Sequence, residues 1–445
     1  MTATQADTEP TAACGTAATG HSGLRSVRQG LAYGLLGLPL AFVSLPLYVL
    51  LPHHYAREFG LPLATLGALL LAVRLADALI DPLLGRWIDR CFHRSARTVQ
   101  RLGVLAALLL ALGLSGLFLP PVRSTGALLA WAAAALLLTY SAYSLLAIAH
   151  QAWGARLGGD EVGRGRIVAW REGAGLFGVV LASVLPAWQG LEAMLLVFAF
   201  SLLLGCLAWW HSPLPPSPPA MALDSSGWPV SFWQPWRQSS FRGLLGAFLL
   251  NGIATAIPAT LVLFFIEDRL QSTSAQQPVF LLTYFLAAAL GLPLWLRLVR
   301  RWGLARCWGL GMGLSVAVFG WAAGLGAGDL TGFWLVCLLS GLALGADLAL
   351  PGALLAGLLV DMGEQDQAAT YFGWWNFATK LNLALAAGLA LPLLGWWDYQ
   401  PGSRQPEALQ ALGWAYAVLP CILKLLAAAA LWRWTRHHCH RWSPT

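Results

Sequence analysis

Apolar runs long enough to cross a bilayer recur along the whole chain, near 29–54, 62–88, 99–121, 124–152, 166–190 and 192–211, and again near 241–266, 276–299, 304–327, 330–360, 367–396 and 408–433. A helical crossing needs ~20 residues, and each run reaches that. Only 11% of the 445 residues are charged and 58% are hydrophobic, and the mean hydropathy is +0.64. Soluble domains carry roughly 25% charge. With so little, a soluble fold could not cover its surface, so the bilayer is the solvent for most of the chain. The fold class this implies is an all-α membrane protein of twelve transmembrane helices in two six-helix halves.

The division between halves falls at 212–240. There Pro213, Pro215, Pro216, Pro218, Pro219, Pro229 and Pro235 rule out a helix running through lipid. The segments expected are a disordered cytoplasmic tail (1–28), an N-terminal half (29–211), a Pro-rich cytoplasmic linker (212–240), a C-terminal half (241–434) and a basic tail (435–445). No hydrophobic stretch precedes Arg25 and Arg28, so the first segment does not read as a cleaved signal peptide. With the N-terminus inside, the inner segments hold 19 arginines and the outer ones only Arg57, Arg123, Arg269 and Arg404. This positive-inside bias predicts both termini in the cytoplasm and a multi-pass protein of a bacterial inner membrane. The net charge of +7 sits in these loops, so it is not a nucleic-acid footprint. The seven scattered cysteines form no C-x-x-C pair, and no resident metal or cofactor is expected. His437-His438-Cys439-His440 reads as a basic tail near anionic lipid rather than a metal site.

Seven ionisable side chains remain inside the apolar runs: Arg74, Asp77, Asp81, Arg171, Asp347, Lys380 and Lys424. Each costs roughly 2.5–3.5 kcal/mol at the bilayer centre on the lenient insertion scale, so a polar cavity between the halves is expected. In the second run Arg74, Asp77 and Asp81 stand at i, i+3 and i+7, which puts them on one helical stripe. Two carboxylates one turn apart suit a bound cation, either a proton or a hard ion such as sodium. Arg74 could neutralise them from the same helix. Lys380, one of two lysines in the chain, is too far from either helix end to snorkel. It is expected to face the acids across the cavity, with Asn376 on its own face. Asp347 could pair with Lys380 or Arg171, or bind solute. Lys424 is expected to reach toward the inner interface in a structural role.

The run Ala72-Val-Arg74-Leu-Ala-Asp77-Ala-Leu-Ile-Asp81-Pro82-Leu-Leu-Gly85-Arg-Trp-Ile-Asp89-Arg90 resembles the second helix and following loop of the glycoside–pentoside–hexuronide:cation symporters, the melibiose-permease-like branch of the major facilitator superfamily. Trp170-Arg171-Glu172, Leu359-Val-Asp361 and Trp375-Asn376-Phe-Ala-Thr379-Lys380 are similar to further segments of that family. The resemblance implies a cation site of Asp77 and Asp81 with Ser141, the charge partners Arg74 and Lys380, and a cytoplasmic gating loop of Gly85, Asp89 and Arg90. It places Arg171, Tyr140, Ser144, Asp347, Trp374, Trp375 and Asn376 on the solute pathway, the tryptophan faces suiting sugar rings. Two departures bear on specificity. Ala41 and Ser144 stand where the melibiose permease grips its sugar with aspartates, and Ile80 replaces a sodium-binding asparagine. The second favours a proton over sodium.

The function implied is cation-coupled symport of a small solute, a sugar or glycoside, by alternating access. Transport of a lysophospholipid or other amphiphile or metabolite, and proton-coupled efflux, are alternatives on the same fold. An enzyme is not expected, because H-E-x-x-H, G-x-S-x-G and phosphate-cradling glycine motifs are absent from the sequence. The expected partners are the solute, the coupling cation and membrane lipid, with the protein acting as a monomer.

Overall fold

The computed structural model describes residue 24 and residues 26–216, 232–273, 276–397, 399–400 and 402–438. Most of the expected N-terminal tail, the middle of the expected linker and Cys439 and His440 lie outside the described residues. Those described form helices and short connections, with no strand among them.

Twelve crossings follow in order. They are α1 (27–59), α2 (Leu63–Arg94), α3 (Ala96–Phe118), α4 (Thr125–Arg156), α5 (Glu161–Pro186), α6 (Trp188–Trp210), α7 (Ser239–Arg269), α8 (277–302), α9 (304–322), α10 (Leu330–Met362), α11 (Ala368–Trp396) and α12 (Pro406–His437). Two of these regions depart from a plain apolar span. The 46-residue run Gln277–Ala322 is two crossings joined at Gly303, whose φ of 77° turns the chain back; glycine reaches that region at no steric cost. The helix α2 carries Arg74, Asp77 and Asp81 but is 32 residues long, ~48 Å at 1.5 Å per residue.

Burial shows how α2 tolerates those charges. Leu71, Leu75, Leu79 and Leu83 are exposed, every fourth residue down one face, while Asp77, Asp81 and Asp89 on the opposite face are buried. The apolar stripe faces lipid and the acids face protein, which is the arrangement a charged residue in a span requires. The helix α1 is more broken. Pro39 and Pro46 each remove a backbone donor, and a π turn at Pro46–Leu50 takes up the irregularity.

Helices α2 and α11 run antiparallel across the boundary between halves. A Cβ on Gly373 would stand 2.6 Å from the Asp81 carbonyl oxygen, and one on Gly85 would overlap the Ala369 carbonyl. These two glycines let the backbones touch. Below them Asp89 accepts the Ala369 amide at 3.0 Å and the Thr370 amide and hydroxyl at 2.7 Å each. It thus caps the first turn of α11 from the other half, where orphan amides and the helix dipole favour an anion. Arg156, at the end of α4, pairs with Asp89 at 3.0 Å and reaches the Asp366 carbonyl at 2.6 Å. Glu161 of α5 accepts the Leu304 amide of α9 at 3.0 Å. All of these contacts lie at the arginine-rich end, so that end is shut. Gly85, Asp89 and Arg90 are therefore not in a loop as expected: α2 stays helical to Arg94, because no Gly or Pro occurs between Gly85 and Ser95.

Asp89→Ala is expected to loosen this closure. It frees two helix-start amides and leaves the buried Arg156 guanidinium with only the longer pair to Asp366 at 3.6 Å, a loss below the ~3–5 kcal/mol of a fully unpaired buried charge. Spin labels at His93 and Gln365 should report a longer, broader distance in the variant. An unchanged distribution would show that the seal does not depend on Asp89.

Candidate cation and solute site

The middle of the α2–α11 seam holds the charges singled out from the sequence. Lys380 Nζ lies 2.6 Å from Asp77 Oδ2 and 2.8 Å from both oxygens of Asp81. It also donates to the Ser144 hydroxyl at 2.8 Å, and that hydroxyl lies 3.1 Å from Asp77 Oδ1. Three helices thus meet at one ammonium: α2 with its two acids, α4 with Ser144 and α11 with Lys380. Asp77 is 3% and Asp81 0% exposed, while the Lys380 side chain keeps 22%. The acids are sealed and the lysine side chain is partly exposed.

The helix geometry explains why these residues converge. Asp77 and Asp81 are one turn apart and stack on one face. Pro82 and Gly373 allow close approach one turn below, so the long lysine stem rises beside both carboxylates. Ser144 is the hydroxyl of α4 that reaches the acids. Ser141 is half-buried three residues away, and Tyr140 is buried one turn from Ser144.

Other expected members lie elsewhere. Arg74 places its guanidinium 3.9 Å over the Tyr48 ring of α1; the neutralising base is Lys380, because the Arg74 side chain turns toward α1. Arg171 is engaged by its neighbour Glu172, with Nε 2.9 Å from Oε1. Trp374 packs among Phe232, Trp233 and Trp236, and Trp375 stacks on Phe248 at 3.9 Å. Both indole faces are covered by other rings, so the expectation that they serve as open sugar platforms is corrected. Asn376 is half-buried one turn below Lys380.

Asp347 pairs with neither Lys380 nor Arg171. Its partner is Lys424 at 2.7 Å, and the same carboxylate accepts from Asn251 at 3.0 Å, Trp308 at 2.9 Å and Thr255 at 3.2 Å. Lys424 also donates to Asn251 Oδ1 at 2.9 Å and is 3% exposed. The expectation that it reaches the inner interface is therefore overturned: its ammonium is held at mid-helix by a buried acid. Asn251, Thr255 and Trp308 were missed in the sequence. The i, i+4 spacing of Asn251 and Thr255 within an apolar run is the signal that marks them.

Comparison with known proteins adds the following. The family model described as MFS/sugar transport protein matches residues 31–435. No curated protein sequence matches. Among solved structures, a bacterial homologue of the iron transporter ferroportin in its outward-facing state is 16% identical with a TM-score of 0.67, over 92% of this chain and 98% of that one. The E. coli fucose:proton symporter FucP is 15% identical with a TM-score of 0.63, over 90% and 98%. The human organic anion transporter MFSD10 is 18% identical with a TM-score of 0.63, over 92% and 100%. At these identities the likeness is one of fold.

Lys380→Met is expected to leave two buried carboxylates facing each other and to destabilise the protein by about 3–5 kcal/mol. Adding Asp77→Asn should recover part of that loss, since one of the unmet charges is removed with it. Thermal unfolding of the two variants beside the parent measures both steps, and failure of the second substitution to recover stability would argue against direct charge pairing.

Proposed function

The chain belongs to the MFS/sugar transport protein family, and from that premise we propose that it is a secondary active transporter in which a proton bound at Asp77 or Asp81 drives symport of a small sugar or glycoside. One observation carries the proposal: two buried carboxylates share a single ammonium. Asp77, Asp81 and Lys380 sum to a formal charge of −1 in a region where a lone charge costs roughly 2.5–3.5 kcal/mol. One added monovalent cation brings the group to neutrality.

A proton suits the geometry better than sodium. Lys380 already occupies the space between the oxygens, and a hard ion that needs several oxygen ligands would have to displace it. A proton needs one oxygen. Lys380 also ties α2 to α11 and so ties the halves together. A proton on either acid weakens that tie, because a neutral carboxyl holds an ammonium less well. Loading thereby biases the exchange between outward- and inward-open forms, which a ligand can do only through unequal affinity for the two. Closure at the arginine-rich end then corresponds to the form awaiting cargo from outside. The membrane is a bacterial inner membrane with both termini on that closed side. The sugar assignment rests on the family description and the fucose-transporting neighbour.

Proteoliposomes with an imposed pH gradient test this. The parent should concentrate a labelled sugar from a panel of monosaccharides and glycosides. Asp77→Asn should lose accumulation at least tenfold and keep sugar exchange between equal pools. Accumulation equal to the parent's would remove Asp77 from coupling, and accumulation driven by sodium alone would replace the proton.

A further inference from the structure

The C-terminal half contains a cavity of about 150 Å³ whose lining includes the Asp347–Lys424 pair. Its walls come from α7, α8, α9, α10 and α12 and include the rings of Tyr284, Phe285, Phe319 and Tyr416. The cavity lies within one half, so it is separate from the Asp77–Asp81–Lys380 group on the seam. We infer that it is a binding site for an uncharged aromatic ring bearing one hydroxyl or carbonyl group.

Three observations set that chemistry. The first is size. A cavity of ~150 Å³ takes one benzene-sized molecule. The second is charge. Asp347 and Lys424 cancel, and the four donors on Asp347 saturate its two oxygens. A charged ligand head would add an unmet charge to a buried neutral pair, so the ligand is uncharged. The third is unused hydrogen-bonding capacity. An ammonium has three donors, and Lys424 spends two, on Asp347 and on Asn251, which leaves one for the cavity it lines. Ser315 is 4% exposed and lines the cavity, as does Tyr284. Neither hydroxyl bonds to another described residue. An oxygen-bearing substituent meets these groups, and the ring lies against the aromatic walls, where aromatic pairs gain beyond burial. The ring can come from a free phenol or from the aglycone of a larger solute.

Fluorine NMR on the full chain in nanodiscs tests this with three probes: 4-fluorophenol, fluorobenzene and a 4-fluorophenyl glycoside. Saturable binding of 4-fluorophenol is expected, with fluorobenzene bound about tenfold more weakly, the effect of one hydrogen bond at ~1 kcal/mol or slightly more. Ser315→Leu and Leu344→Trp, each filling the cavity, should weaken 4-fluorophenol at least tenfold. Two fillers are used so that a folded one remains, with melting temperature as the check. Saturable binding of the glycoside that both fillers remove assigns the ring to a larger solute; binding of the phenol alone assigns it to a free ligand. Asp77→Asn should leave phenol binding unchanged, so failure of cation coupling and failure of this site are told apart. Phenol signals equal to those of empty nanodiscs, or binding that survives in a folded filler variant, would overturn the inference.

Discussion

One ammonium at mid-bilayer holds together two acids, a hydroxyl and both halves of the molecule. Without Lys380 the buried face of α2 would present two carboxylates to a protein interior that cannot solvate them, and a helix carrying Asp77 and Asp81 would be a poor candidate to cross at all. The lysine comes from α11, so the helix that solves this problem belongs to the other half. Stability of the span and association of the halves therefore rest on the same contact. That joint dependence suits the site to a moving protein: a change in its charge alters the grip between halves directly, with no relay in between.

The arginine-rich end is built differently. Asp89 accepts two amides and a hydroxyl and pairs with Arg156. These are short contacts between one carboxylate, a helix start and a guanidinium, set near the end of α2 and the start of α11. Such a seal holds by the sum of several hydrogen bonds and opens when the helix start moves off the carboxylate. The close approach at Gly85 and Gly373 matters here, because side chains at either position would hold the helices apart and pull Asp89 away from the amides it caps.

Much of the fold was legible because membrane helices obey strong local rules. Length and apolarity marked the runs. The α2 stripe was legible for the same reason: i, i+3, i+7 spacing is a property of one helix. Apart from the pairing of Lys380 with Asp77 and Asp81, what the sequence hid was which side chains meet across helices. Ser144 and not Ser141 reaches the acids, a matter of one helical rotation. Trp374 and Trp375 read as open platforms, yet their faces are taken by Phe232, Trp233, Trp236 and Phe248. Lys424 read as a snorkelling residue because only its distance along the helix was visible; Asp347, 77 positions away in sequence, determines where it points.

The two buried ion groups differ in one countable respect, and that difference separates their roles. Asp347 receives four donors on two oxygens, so its carboxylate has no vacancy and its charge is matched by Lys424. Asp77 and Asp81 offer four oxygens to one lysine and one serine, and their charge exceeds that of their partner. A donor-saturated neutral pair gains nothing from another cation and fixes helices α7, α10 and α12 in register. A donor-poor group of net charge −1 gains from the one proton that brings it to neutrality. Only the second can change occupancy at modest cost, so the proposed coupling fits the seam, and the pair inside the C-terminal half is left to line a pocket.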